Sequence, residues 1–321
     1  MKLLTQPSQF RSIPEPVVLA AGFFDGLHKG HQLVLASTIE RAREIGGQAW
    51  VLTFDRHPLA VLAPSTCPPL LCTLEDRLHL LEKSGIDGVL LLEFSRQLAV
   101  QEPETFIQGL CGMPRSEGDN AAGVSPASNL SEIRCGKNWR FGRRAAGTPE
   151  LLAQVGKRYG FCVVIVPFVY CQGVEISSTR IRQAVRDGRL EDAAAMLGRP
   201  CSVRDVVVRG RGRGQALNMA TANLHPRTDV LPPNGVYAVR VIADGVAHNG
   251  VSNLGVHPTF TDEKPESAIL ETHLLDFEGD LYGKTIEVCF LARLRDECVF
   301  DSAESLIAQI AEDVRRARRY F

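Results

Sequence analysis

Two histidines beside a glycine turn are residues whose types and spacing can do chemistry, in Gly22-Phe23-Phe24-Asp25-Gly26-Leu27-His28-Lys29-Gly30-His31. Imidazole donors at that spacing can meet the oxygens of one phosphate, while Gly26 and Gly30 let backbone amides come close. The plain alternative is a Gly-rich turn with surface histidines, and the ordered H-x-G-H outweighs it. A second group is Ile176-Ser177-Ser178-Thr179-Arg180-Ile181-Arg182. It sets hydroxyls and free amides at a helix start beside two guanidiniums, the donors that a triphosphate expelling pyrophosphate needs. Its alternative is a capped helix with solvated arginines. A third group, Arg209-Gly210-Arg211-Gly212-Arg213-Gly214-Gln215, reads either as an RNA contact or as a glycine flap lying along a nucleotide's phosphates. The aromatics that interleave RNA-binding runs are missing, which favours the flap.

The elements needed to hold these groups are written in the same stretches. Val17–Ala21 is an apolar run of the kind a buried parallel strand needs, and Leu33, Val34 and Ile39 recur at helical spacing before Gly46-Gly47. Trp50–Phe54 is the next strand. That β-α-β unit places a ligand site at the carboxyl ends of the strands. Strands are expected at Val89–Leu92 and Phe161–Val166, with a loop over Arg115–Ser131. Helices near Ser178 and over Leu190–Leu197 end at Gly198-Arg199-Pro200. Beyond them Val203–Val208, Val236–Ile242, Val246–Asn253, Ile269–Leu275 and Thr285–Ala292 read as strands of an antiparallel barrel or sandwich. A last helix is expected with Asp301 as its N-cap and an apolar stripe through Leu306, Ile310 and Val314.

Composition bounds what such a chain can do. At 321 residues it has room for about two domains. Lys and Arg total 36 against 37 Asp and Glu, so no overall field draws in nucleic acid or acidic lipid. No apolar run approaches the roughly 20 residues of a membrane span, and no signal-peptide pattern opens the chain. Nine cysteines without a CxxC pair point to a reducing cytoplasm and no zinc site.

The first constellation resembles the signature of the nucleotidylyltransferase superfamily. With Thr53-Phe54-Asp55-Arg56-His57-Pro58, Gly136-Lys137-Asn138-Trp139-Arg140-Phe141-Gly142 and Ile176–Arg182 in the same order, it is similar to the bacterial FAD synthetase, or FMN adenylyltransferase, module. The resemblance implies a Rossmann-like parallel sheet in an α/β domain over residues 1–187. In it the catalytic residues are His28 and His31, which stabilise charge on the α-phosphoryl group of ATP, and Arg180, which with Ser178 and Thr179 holds the β,γ end. Gly22, Phe23, Asp25, Gly30, Ser177, Ser178, Thr179 and Arg182 bind ATP; Phe54, His57, Pro58, Asn138 and Phe141 make the flavin contacts.

The second half resembles the riboflavin kinase module that follows the adenylyltransferase in the bifunctional bacterial family. The resemblance rests on Asn234–Val239, Val251–Phe260, Leu270–Phe277 and Leu281–Lys284. It implies an all-β antiparallel barrel with a C-terminal helix over residues 188–321. Glu271 is its family-matched base, although on pattern alone it is an outward carboxylate on an alternating strand. Thr221 and Asn223 are the implied Mg²⁺ ligands. Gly210, Gly212, Gly214, Asn253 and Tyr282 are the implied ATP contacts, and Arg295 and Phe300 the flavin contacts. The family's G-x-P-T-A-N reads here Asn218-Met219-Ala220-Thr221-Ala222-Asn223, and Asp205 stands where a strand glycine is usual. The expected enzyme makes FMN from riboflavin and FAD from FMN with ATP and Mg²⁺. It is expected to be a cytoplasmic monomer or weak homo-oligomer without nucleic-acid or membrane partners. Two rivals are an FAD synthetase whose barrel only binds flavin and a nucleotidylyltransferase with a nucleic-acid-binding barrel.

Overall fold

The computed structural model describes residues 1–112, 129–209, 221–257 and 267–321, in two compact units, Met1–Ser177 and Ser178–Phe321. The first holds β1 (Lys2–Leu4), α1 (Pro7–Arg11), β2 (Val17–Ala21), α2 (Lys29–Glu44), β3 (Gln48–Phe54), α3 (Pro58–Leu62), α4 (Leu74–Lys83) and β4 (Gly88–Leu92). It continues with α5 (Arg96–Ala99), α6 (Pro103–Cys111), β5 (Leu130–Gly136), α7 (Pro149–Tyr159), β6 (Cys162–Val166) and the hairpin β7 (Tyr170–Cys171) and β8 (Val174–Glu175). Six of its strands make one parallel sheet in the order β1-β4-β3-β2-β5-β6. Its central strands β2, β3 and β4 read as apolar runs because both their faces are covered. Leu19, Trp50, Leu52 and Leu90 pack with Phe106 and Ile107 of α6 on one side. Ala20, Val51 and Val89 pack with Val34 and Leu35 of α2 and Leu81 of α4 on the other. The chain runs outward from β2 to β3 to β4 and then returns to β5 on the far side of β2. That reversal puts a crevice at the carboxyl ends of β2 and β5, where such sheets bind ligands.

The expected loop over Arg115–Ser131 lies mostly outside the described residues, and its last two residues already belong to β5. That strand forms despite its modest hydrophobicity because it pairs on both edges, with β2 and β6.

The second unit opens with α8 (Ser178–Arg186) and α9 (Leu190–Leu197). Then follow β9 (Ser202–Val206), β10 (Thr221–Leu224), β11 (Gly235–Ala243), β12 (Val246–His257), β13 (Ser267–Leu274), β14 (Thr285–Arg295) and α10 (Ala303–Ala317). The six strands form an antiparallel sheet in the order β10-β13-β12-β11-β14-β9. Just beyond β9, the Val208 N–H donates to the Asn223 carbonyl at 2.9 Å and bridges the two outer strands. The sheet thereby curls into a barrel filled by Tyr237, Val239, Leu270, Val288 and Phe290, with Leu190 of α9 packed into the same cluster. On the outside, Val314 and Ala317 of α10 pack on Val236, Ala238 and Val251.

One sequence expectation is corrected here. The N-cap of α10 is Ser302, not Asp301. Ser302 has extended backbone, its hydroxyl accepts from Ser305 N at 3.1 Å, and Ser305 reaches back to the Ser302 N–H. This reciprocal capping box satisfies two orphan donors where Asp301 alone satisfies one.

Candidate active sites

The glycine turn over Gly22–His28 joins β2 to α2 as the sequence requires. His28 is the N-cap of α2, buried, with its Nδ1 accepting from His31 N–H at 3.3 Å. The two imidazoles stack with centroids 3.7 Å apart and planes 16° from parallel. Phe24 meets the His31 ring edge-on at 5.2 Å. The Nδ1 of His31 is enclosed and has no hydrogen-bond partner among the described residues. Burial, and then the neighbouring His28, push the His31 pKa well below the ordinary imidazole value. Gly30 makes room for the stack, since a Cβ there would sit 3.1 Å from the His28 ring. Gly26 turns at φ +71°, where a Cβ would strike Leu71 at 2.8 Å. Asp25 is buried, and its carboxylate accepts from Leu71 N–H at 3.0 Å. It therefore anchors the turn to the Leu71 segment. Gly22 precedes the turn, with the Phe24 ring folded over it.

Beside the turn, Phe54, Pro58 and Phe141 come together in a cleft of about 720 Å³ that also takes in Phe94 and Phe106. That size suits a ring system rather than an ion. The Asp55 carboxylate accepts from Phe94 N–H at 2.8 Å, which holds the Phe94 ring edge-on to Phe54 at 5.2 Å. Phe141 stacks on Trp139 at 4.7 Å. Arg96, Arg140, Arg143 and Arg144 supply positive charge to the cleft. His57 and Asn138 are not among the lining residues. His57 caps α3 by accepting from Leu59 N–H and meets Phe23 edge-on, and the Asn138 side chain lies over Gly136 at the end of β5.

Sequence reasoning missed Phe94, Phe106 and, above all, Arg77. Arg77 is 3% exposed on α4 and donates to the Phe23, Phe54 and Asp55 carbonyls. A signal existed: position 77 falls three residues after Leu74 and four before Leu81, on an apolar stripe where a charge is out of place.

In the second unit, Ser178, Thr179, Arg180 and Arg182 lie in the first turns of α8, with Ser177 just before it. On the barrel, strand register places Asn223, Glu271 and Asn253 side by side across β10, β13 and β12. Their neighbours Ala222, Leu270 and Leu254 point into the core, so by alternation this row faces outward. Two strands further, the same row reaches Arg295 through Val236. Arg295 holds buried Asp313 of α10 with Nη2 at 2.7 Å and Nε at 2.9 Å, and its guanidinium lies 5.8 Å from the centre of the Phe300 ring. Tyr282 is half-exposed, with Arg209 over its ring at 5.8 Å. Gly210, Gly212 and Gly214 lie outside the described residues.

The donors present fit Mg²⁺. Thr221 and Asn223 stand two apart on β10, hence on one face, with the Glu271 carboxylate next to Asn223. Among the described residues no three His, Cys, Asp or Glu side chains gather as a metal site. A few oxygen donors of this kind suit a hard cation that keeps its waters and takes phosphate oxygens as further ligands.

A riboflavin kinase family model matches residues 197–321, and an FAD synthetase family model matches residues 10–117 and 121–180. Among curated relatives, the bifunctional riboflavin kinase/FMN adenylyltransferase of Escherichia coli (strain K12) is 35% identical over 324 residues, covering 100% of this chain and 98% of that protein. The Bacillus subtilis (strain 168) protein of the same name is 32% identical over 307 residues, covering 95% and 92%. A crystal structure from Streptococcus pneumoniae, named for macrolide efflux, covers 99% of both chains with TM-score 0.82 and 31% identity. In this chain no helix among the described residues is long and apolar enough to cross a membrane. With both units matched in order and relatives aligned end to end, the chain belongs to the family of bifunctional riboflavin kinase/FMN adenylyltransferases.

Proposed function

We propose that the protein phosphorylates riboflavin to FMN and adenylylates FMN to FAD, using ATP for each step. The observation that carries this reading is the stacked His28–His31 pair at the crevice between β2 and β5, beside an aromatic cleft of flavin size. Family matches over both units favour it over a flavin-binding or nucleic-acid-binding barrel. In adenylyl transfer a phosphate oxygen of FMN attacks the α-phosphorus of ATP in line, and pyrophosphate leaves without a covalent enzyme intermediate. With Nδ1 of His28 occupied as an acceptor, the proton of its neutral ring sits on Nε2, the nitrogen that serves as donor. His31, held neutral, donates one N–H to the same developing charge. Gly22, Phe23, Asp25 and Gly30 shape the ATP turn. Ser177, Ser178, Thr179, Arg180 and Arg182 hold the β- and γ-phosphates. Phe54, Pro58 and Phe141 wall the isoalloxazine, with His57 and Asn138 supporting the walls.

In the kinase reaction Glu271 takes the proton of the terminal ribityl hydroxyl, whose oxygen bonds to the γ-phosphorus as the bond to ADP breaks. Asn253 and Asn223 lie on either side of the base in strand register, with the Asn253 amide donating to Glu297 at 3.2 Å. Thr221 and Asn223 hold Mg²⁺, which when bound neutralises charge on the nucleotide phosphates. Asn253, Tyr282 and the Gly210–Gly214 run take the nucleotide side; Arg295 and Phe300 take the flavin side. The division of labour falls at residues 187/188, supported by family matches that stop at 180 and resume at 197. Nine free cysteines support a cytoplasmic protein, and near-zero net charge one without a nucleic-acid partner. Incubation with riboflavin, ATP and Mg²⁺, with the flavins separated over time, tests the whole reading. FMN should appear first and FAD after a lag; FMN that never becomes FAD, or riboflavin that is never phosphorylated, refutes the corresponding half.

A further inference from the structure

Arg77 occupies a position where a leucine would complete the stripe of α4. Its Nη1 donates to the Phe23 carbonyl at 3.0 Å, and its Nη2 donates to the carbonyls of Phe54 at 2.5 Å and Asp55 at 3.3 Å. The guanidinium carbon lies 4.2 Å from the centre of the Phe23 ring, and that ring meets His57 edge-on at 5.0 Å. Phe23 begins the phosphate turn after β2. Phe54 ends β3 and Asp55 follows it, and Asp55 fastens Phe94 of the cleft. One planar fork therefore grips the ends of two neighbouring strands, one leading to the histidines and the other to the flavin wall. Burial pushes the Arg77 pKa down, while the Asp25 and Asp55 carboxylates oppose that shift. A buried cation is costly to place, so a hydrophobic side chain would serve packing alone better. Lysine cannot replace the fork, because a single ammonium does not span carbonyls at fixed separation in one plane.

We propose that Arg77 is a positioning residue for adenylyl transfer, fixing the separation between the phosphate turn and the flavin wall so that FMN phosphate and α-phosphorus meet in line. The inference rests on the assignment of turn and cleft to that reaction. Misplacement by about 1 Å costs on the order of 100-fold in rate even when both substrates still bind.

The test compares Arg77→Lys and Arg77→Met with the wild-type chain, measuring kcat and both KM values for FMN-to-FAD conversion. Riboflavin phosphorylation and thermal unfolding are followed in the same preparations. The expected result is a kcat for FAD formation lowered roughly 100-fold, KM values for FMN and ATP changed less than about threefold, and unchanged riboflavin phosphorylation. Lysine variant with a kcat within about threefold of wild type overturns the proposal. So does a rise in one KM at constant kcat, which makes Arg77 a binding residue for that substrate. Thr53→Val removes a second donor to the Phe23 carbonyl, at 3.1 Å, and should show the same kcat-only signature at about threefold. If neither Arg77 variant folds, an unaltered kcat in Thr53→Val overturns the proposal. Wild-type chain that makes no FAD refutes the underlying assignment instead, and the parallel assay separates that failure from this one.

Discussion

The proton inventory of the histidine pair governs what it can do. His28 accepts at Nδ1 and His31 is kept neutral, so in the free protein the stack carries N–H donors rather than standing positive charge. Two imidazolium rings stacked 3.7 Å apart would repel each other at a helix N-terminus that already disfavours cations. An arriving phosphate reverses that balance, because a nearby anion favours the charged form. The free protein should therefore show the cost of holding His31 neutral. Its folded pKa lies below the unfolded value of about 6.5, so the unfolded chain binds more protons as pH falls through that value. Stability from this residue is fully present above pH ~6.5 and declines below it, toward the lowered folded pKa. Thermal midpoints measured from pH 7.5 to 5.5 should drop more steeply for wild type than for His31→Gln. Parallel slopes would show that His31 titrates normally.

At the scale of the element, the first turn of α2 serves two purposes that one substitution separates. Gly30 is a poor helix residue, and alanine there improves intrinsic propensity by up to about 1 kcal/mol. Yet the added Cβ would lie 3.1 Å from Cε1 and Nδ1 of His28 and push the ring off its stack. Gly30→Ala should therefore unfold at the same temperature or higher while forming FAD about tenfold more slowly. Equal activity would mean that the stack geometry does not matter. The β2-turn-α2 unit was readable because its strand is a continuous apolar run and its turn holds glycines at fixed offsets. The row Asn223–Glu271–Asn253 was not, since it arises from register among three strands distant in sequence. β10 itself, only Thr221–Leu224, is too short and mixed to announce a strand; pairing with β13 makes it one. Ser302 displaced Asp301 as cap because its partner Ser305 completes a reciprocal pair. Arg77 was legible only as a charge out of place on an apolar stripe; what it does there depends on tertiary contacts to carbonyls, which no spacing rule encodes.

At the scale of the whole molecule, each unit carries its own core: a doubly covered parallel sheet in one, a curled antiparallel half-barrel in the other. A near-neutral chain with local donor clusters suits small phosphorylated substrates that move between two reactions. Damage confined to one site should then leave the other reaction intact. His28→Ala loses an N-cap, which costs about 1 kcal/mol, a small part of the 5–15 kcal/mol that typically holds a domain together. The variant should remain folded, phosphorylate riboflavin normally and accumulate FMN without making FAD. Glu271→Gln keeps the volume and removes the base, so it should convert added FMN to FAD but leave riboflavin untouched. Because FMN is both the product of one reaction and the substrate of the other, an equimolar mixture of the two inactive halves should make FAD from riboflavin, after a lag that shortens as protein concentration rises. Chromatography of the flavins over time reads all three experiments. Loss of both activities in either folded variant would break the two-site account. FAD formation absent only from the mixture would show instead that FMN stays with the molecule that made it.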